Sequence, residues 1–234
     1  MRIRARIALP LLAVLVAACQ GTGRRGDIAM GPPPEGGTTV AAPGAEDPAL
    51  TAPFIESFDS GTLDPALWKS NVDAYAARDG ELVVRDAKNH PLWLLRRLPC
   101  DVQIDFTAWS DSADGDIKLE IFGDGRSSAT RGGAYTATGY VVIFGGWHNT
   151  LHTIARLDEH RARLIELSGP PVERGRRYAF SLRIRGGTIE WFLDGQPFAK
   201  VVDPQPLCGT GHDHFAFSDW AAPLQFDELR ITPL

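Results

Sequence analysis

Apolar residues recur at every second position through long stretches of this chain, and that period limits the fold more than any other feature. Val102, Ile104, Phe106 and Ala108 alternate with Gln103, Asp105, Thr107 and Trp109. Tyr178, Phe180, Leu182 and Ile184 alternate with Ala179, Ser181, Arg183 and Arg185, and Ile189, Trp191 and Leu193 with Glu190, Phe192 and Asp194. A period of two is that of a strand with one buried face. Asp79-Gly80, Gly186-Gly187 and Asp194-Gly195 stand between such runs, where hairpins turn. Near the end, Leu224 and Phe226 change phase to Leu229 and Ile231, which predicts a bulge. No stretch carries a helical period beyond a turn or two, and 24 glycines with 17 prolines exclude long coiled coils. About a dozen short strands in one domain predict an all-β, two-sheet antiparallel β-sandwich.

The first residues have a different composition. Arg2, Arg4 and Arg6 precede twelve uncharged, mostly apolar residues, Ile7 to Ala18. As a helix these span ~18 Å, short of a ~30 Å hydrocarbon core, so 1–18 reads as a secretion signal peptide. Leu15-Val16-Ala17-Ala18-Cys19 resembles the lipobox of bacterial lipoproteins. That resemblance implies cleavage before Cys19 and acyl chains, palmitate among them, on its sulfur and new amino terminus, holding the protein on a membrane. Gln20, rather than aspartate, follows the cysteine, which in lipoprotein sorting favours the outer over the inner membrane of the cell envelope. Gln20 to Pro53 holds seven glycines and six prolines, including Pro32-Pro33-Pro34. Such a stretch buries too little apolar surface to offset its chain entropy, so 19–53 reads as a lipidated cysteine and disordered tether, reaching up to ~110 Å when extended. The remainder, 54–234, reads as one domain. A net charge of −5 argues against a nucleic-acid partner. No feature of the sequence sets the oligomeric state.

Within 54–234, the opening Phe54-Ile-Glu-Ser-Phe58-Asp-Ser-Gly-Thr-Leu63-Asp-Pro-Ala-Leu-Trp68 resembles the first strand and turn of concanavalin A-like jelly rolls. Laminin G-like modules and 3-keto-disaccharide hydrolases are related to these. Arg78-Asp-Gly80-Glu-Leu-Val-Val84 is similar to their second strand, and Gly175 to Gly195 to a hairpin closing on an Asp-Gly turn. Leu224-Gln-Phe226-Asp-Glu-Leu229-Arg-Ile231 resembles their last strand, which in that family returns beside the first. The resemblance spans most of the domain, and its motifs are structural.

The resemblance also implies that mid-sheet strands form a concave face where saccharides lie, and Gly139 to His160 is the candidate segment. It offers Trp147 to stack on a sugar ring, with His148, Asn149, Arg156, Asp158, Glu159 and His160 as hydrogen-bonding neighbours. The same residues also fit a plainer assignment, with Gly145-Gly146 a bulge or turn, Trp147 a core plug and the polar groups solvated. Trp220, in Ser218-Asp219-Trp220, stands either at the cleft edge or as a cap on the sandwich. Arg174, Arg176 and Arg177 are either an anionic-polymer patch or a solvated turn.

Metal and catalytic patterns are thinner. Read as one strand, His148 and His152 lie ~13 Å apart, too far to share zinc. His212-Asp-His214 shares a strand face but lacks a third ligand. Asp111, Asp114 and Asp116 invite calcium without matching the EF-hand spacing, and some lectins of this fold bind calcium at such loops. No other cofactor is implied. Asp116 and Glu120 share strand parity, but Lys118 rather than a carboxylate lies between them, so the glucanase Glu-x-Asp-x-(x)-Glu pattern is absent. No Gly-x-Ser-x-Gly elbow occurs, and Phe226-Asp-Glu-Leu-Arg230 only echoes the alginate-lyase strand. Outside the cytoplasm, Cys100 and Cys208 are expected to form a disulfide. The reading is therefore a membrane-anchored, non-catalytic carbohydrate-binding sandwich. Its alternatives are a 3-keto-glycoside hydrolase-like enzyme using Asp158, Glu159 or a histidine, and a structural envelope protein that binds another protein.

Overall fold

A computed structural model describes residues 46–130 and 135–234. The leader, Cys19 and most of the tether segment lie outside these residues. Two antiparallel sheets account for the domain. The first contains β1 (Phe54–Glu56), β3 (Tyr75–Arg78), β4 (Glu81–Val84), β6 (Val102–Ser110), β11 (Tyr178–Arg185), β12 (Thr188–Leu193), β13 (Gln196–Val202) and β15 (Leu224–Pro233). Its order is β13-β12-β11-β6-β15-β4-β3. The second contains β2 (Trp68–Lys69), β5 (Leu92–Leu94), β7 (Ile117–Gly123), β8 (Tyr140–Gly145), β9 (Leu151–Arg156), β10 (Arg163–Leu167) and β14 (His214–Ser218). Its order is β10-β9-β8-β7-β14-β5-β2. Among the described residues no helix is long and apolar enough to cross a membrane.

The expected alternation is present. Val102, Ile104, Phe106 and Ala108 are buried, and Tyr178, Phe180, Leu182 and Ile184 face them across the β6–β11 ladder. The three predicted hairpin turns carry positive φ at both central residues, as in Asp79 at 54° and Gly80 at 81°. That backbone matches the twist of the flanking strands and favours Asp-Gly or Gly-Gly. The phase change in the last strand is a register shift between Asp227 and Arg230, with Glu228 at φ 54°. β15 lies along β6 on one side. Its other side is shared, with β4 on Leu224–Phe226 and β1 on Leu229–Ile231, so the last strand does return beside the first.

Between the sheets lies an aromatic core. Phe106 stacks on Phe180 at 4.8 Å, and Phe217 crosses from the second sheet to meet Phe226 at 4.3 Å, Phe106 at 5.8 Å and Trp68 at 6.1 Å. Cys100 and Cys208 are joined by a disulfide with Cα atoms 5.4 Å apart, closing a separation of 108 residues. On the chain-entropy model a loop near that length removes ~4.7 kcal/mol of unfolded-state freedom.

The ordered contacts begin before the expected boundary at Phe54. Leu50 is buried and its N–H donates to Arg97 O at 2.8 Å, while Arg97 N–H donates to Pro48 O. His214 Nε2 lies 3.2 Å from Asp47 Oδ2. One apolar side chain and three polar anchors thus seat 46–50 on the domain, although its Pro- and Gly-rich surroundings read as tether. Phe217→Ala is expected to lower the unfolding free energy by roughly 3–5 kcal/mol, because it empties a site walled by five aromatic rings. Urea denaturation followed by tryptophan fluorescence measures this.

Candidate functional site

In β7, Ile117, Leu119 and Ile121 enter the core, so Lys118 and Glu120 point to the outer face of the second sheet. Both are buried there. Lys118, 4% exposed, places Nζ 2.6 Å from Glu159 Oε2 and 2.7 Å from Asn89 Oδ1. Burial alone would depress its pKa, but Glu159 and Asp116 more than offset this and hold it above the ordinary value. Glu120 accepts from Tyr135 Oη at 2.6 Å and from the N–H groups of Thr138 and Gly139 at 2.8 Å each. Desolvation still prevails over those bonds and raises its pKa to about 7.

Loops converge on this pair. Asp219, fully buried, accepts from Ala87 N–H and Ala222 N–H, while Lys88 N–H donates to Trp220 O and Asn89 N–H to Asp219 O. Those bonds lay the 85–91 loop against the 219–222 loop, and Asp116 Oδ2 accepts from Trp220 N–H at 3.2 Å. Burial raises Asp116 to about 6 and Asp219 to about 7. Their mutual repulsion adds to the rise in Asp219, and Glu159 adds to that in Asp116. On the β14 side of Lys118 stands Trp220, 43% exposed, with Lys88 Nζ 4.7 Å from its ring centre. On the β8 side is Trp147, lying on the apolar outer-face patch of Ala137, Val141, Ile143 and Ala155. Arg163 covers its ring at 4.1 Å and His160 meets it edge-on at 5.8 Å. His160 Nε2 is also 3.6 Å from Glu159 Oε1.

The expected site residues therefore divide. Glu159 pairs with Lys118 and reaches His160, whose ring meets Trp147, while Trp220 is tied to Asp116. Asn149 and His148 sit in the turn behind Trp147. Asn149 bonds backbone groups of Ala113 and Val172, and His148, 90% exposed, lies 3.1 Å from Asp114. Arg156 is not part of that group. Its Nε donates to Asp203 Oδ2 at 2.9 Å, beside the hydroxyl of Tyr140, because its strand neighbour across the ladder is the core-facing Tyr140. Asp158 caps its own loop through the N–H groups of His160 and Arg161.

Gly139 to His160 is not one strand. β8 and β9 are joined by a turn at Gly146–Asn149 in which Trp147 and His148 have left-handed backbone, so the Gly145-Gly146 turn of the plainer assignment is present. His152 faces inward instead, stacked on Phe144 at 4.6 Å, with Nδ1 accepting from Gly145 N–H. Burial pushes its pKa down.

The acidic and histidine groups considered for metals are separated. Asp111 accepts from Gln225 Nε2, Asp114 donates its N–H to Ser112 Oγ and places Oδ1 3.1 Å from His148 Nδ1, and Asp116 accepts from Trp220 N–H. His212 lies against Thr138 O and His214 between Asp47 and Asp213. Among the described residues no three His, Cys, Asp or Glu side chains converge on a metal position. Arg176 pairs with Glu173 and Asp194, and Arg177 with Glu81, stacked on Trp109 at 3.6 Å. Residues that the sequence reading missed are Lys118, Asn89, Lys88, Arg163 and Asp219. For Lys118 the signal was its parity with Asp116 and Glu120. The others come from loops distant in sequence.

Asp116, Glu120 and Asp219 all bind their proton more tightly in the folded chain than in the unfolded one, from ordinary values of 3.8 and 4.5. Through these three groups the folded state holds more protons between about pH 4 and 7, so their contribution to stability falls as pH rises, while His90 and His152, pushed down by burial, oppose it near their ordinary value of 6.5. Asp203, held low because bonds from Tyr140, Gln205 and Arg156 outweigh its burial, acts only below that window. The urea midpoint is expected to be higher at pH 5 than at pH 7.5, and replacing Glu120 by Gln should flatten the difference.

No protein-family model matches the chain, and no curated protein sequence does. Solved structures do. The carbohydrate-binding module CBM66 from Bacillus subtilis matches with a TM-score of 0.55 and 13% identity, over 70% of this chain and 94% of that one. The VIP36 exoplasmic/lumenal domain, in a Ca2+/Man3GlcNAc-bound form, matches with a TM-score of 0.59 and 10% identity, over 78% and 89%. The catalytic domain of an endo-1,3-beta-glucanase (laminarinase) from Thermotoga petrophila matches with a TM-score of 0.50 and 12% identity, over 76% and 95%. Identities this low speak to architecture, and on that point they agree with the strand order: the domain has the concanavalin A-like jelly-roll fold.

Proposed function

We propose that this protein is an extracytoplasmic lipoprotein, anchored through Cys19, whose jelly roll binds carbohydrate on the outer face of the second sheet around Lys118. The observation that carries the reading is the grouping of an exposed indole with fixed polar groups. An exposed indole, Trp220, is tied through its own backbone to Asp116, beside a buried Lys118–Glu159 pair. An apolar ring face next to fixed polar groups is what a sugar requires, since its C–H face stacks while its hydroxyls bond. Trp220 is the stacking residue in this reading, because it is exposed whereas Trp147 is half-buried against its apolar patch. Asp116, Glu159 and His160 are the hydroxyl partners. Likeness to a carbohydrate-binding module and to a domain with Man3GlcNAc bound supports the ligand class.

One observation favours a second reading, glycan hydrolysis. Burial raises Asp116 to about 6, within reach of a general acid's range, and Glu159, paired with Lys118, is the second carboxyl beside it. Both readings are tested on the full chain with a glycan array, with and without calcium, followed by reducing-end assays on retained glycans. Saturable binding weakened about 30-fold by Trp220→Ala, the scale of an interface tryptophan, is expected. Release of new reducing ends, lost in Asp116→Asn, would transfer the assignment to the enzyme. Absence of any binding would sink both readings and leave a protein partner.

The anchor is tested separately. In a bacterial host the wild-type chain should take up a labelled fatty acid and sediment with membranes, whereas Cys19→Ser should do neither.

A further inference from the structure

The turn that carries Trp147 is built against backbone preference. Trp147, His148 and Asn149 stand at φ 50°, 56° and 62°, following Gly145 at 80°. Left-handed helical backbone is disfavoured for L-residues in succession, and a tryptophan and a histidine there must be held by their surroundings. The Thr150 hydroxyl closes part of the turn on Trp147 O at 2.7 Å. The larger hold is the Asn149 amide. Its Nδ2 donates to Ala113 O at 2.9 Å and Val172 O at 2.8 Å, and its Oδ1 accepts from Val172 N–H at 2.7 Å.

Two glycines make the seat for this amide. A Cβ on Gly115 would lie 2.9 Å from Asn149 Oδ1, and one on Gly145 would lie 2.6 Å from the same atom. One side chain thus fastens the β8–β9 turn to the 111–116 loop and to the segment around Val172.

We infer that Asn149 is a positioning residue: its amide, seated between Gly115 and Gly145, holds Trp147 on the outer face of the second sheet and so sets one side of the proposed sugar-binding face without touching ligand. The effect on affinity rests on the glycan-binding reading, whereas the effect on Trp147 does not. Without the amide the turn loses three hydrogen bonds together, and the indole loses its fixed place under Arg163 and against His160.

The test uses the full chain labelled with 15N, in which Trp147 is one of six indole signals and is identified by its loss in Trp147→Phe. In Asn149→Ala and Asn149→Gly the Trp147 signal is expected to move or broaden while the others stay. Retention of arrayed glycans is expected to fall about tenfold, as for lost buried hydrogen bonds. Glycine accepts φ 62° freely, so a glycine variant with wild-type Trp147 signal and binding would show that backbone strain, not the amide, matters, and would overturn the inference. An unmoved Trp147 signal in Asn149→Ala would overturn it too. If Asn149→Ala shows no cooperative unfolding, Asn149→Asp keeps the acceptor for Val172 but loses both donated bonds, and an unmoved signal there is equally decisive. A wild-type chain that retains no glycan defeats the binding reading, while the indole signal still decides the role of Asn149.

Discussion

Strand β7 is buried on both faces, and the polar side chains on its outer one must be satisfied without water. Lys118 and Glu120 lie where an ordinary sandwich would meet solvent, yet neither is more than 4% exposed. A buried charge lacking partners costs several kcal/mol, so the chain brings loops to them. Asn89 and Glu159 reach Lys118 from two directions, and Tyr135, Thr138 and Gly139 close on Glu120. The loops that carry Lys88 and His160 at the surface are the same ones.

Backbone strain gathers where those loops must approach closely. Lys88, Asn89, Asp116, Trp147, His148 and Asn149 all have φ between 50° and 63°. Asparagine and aspartate tolerate this, but lysine, tryptophan and histidine do so only where hydrogen bonds over-determine the turn. The outer face of the first sheet is different in kind. Arg177–Glu81, Arg176–Asp194 and Lys200–Glu190 are ion pairs between exposed groups, each worth little and imposing no backbone conformation.

Strands and hairpins were legible because their determinants are local. The Val102–Ala108 alternation and the Asp-Gly turns state face and direction within a few residues. Even the slip after Phe226 was written in the spacing of Leu229 and Ile231. The site was legible only in part. Trp147, Glu159, His160 and Trp220 could be picked out by residue type, but Asn149, Arg156 and Asp158 share the same window and serve other contacts. A left-handed turn made mostly of non-glycine residues has no local signature, so the His148–His152 stretch read as strand although Gly145-Gly146 marked a possible turn. Lys118 was visible as a parity neighbour of Asp116. Its partner Glu159 follows 41 residues later, and only tertiary packing joins them. Leu50 was obscured for a related reason, since one apolar residue among prolines and glycines carries no period.

The Cys100–Cys208 bond divides the domain covalently as well as stabilising it. Everything from β6 to β13 lies inside its loop, while β1 to β5 and β14 to β15 lie outside. A protease that cuts once between residues 101 and 207 therefore leaves a single molecule, its fragments held by sulfur and by the strand ladders that β6 and β11 share. Pulled from its ends after unfolding, the chain would fall short of full extension by roughly 370 Å, the contour length of the residues the bond encloses.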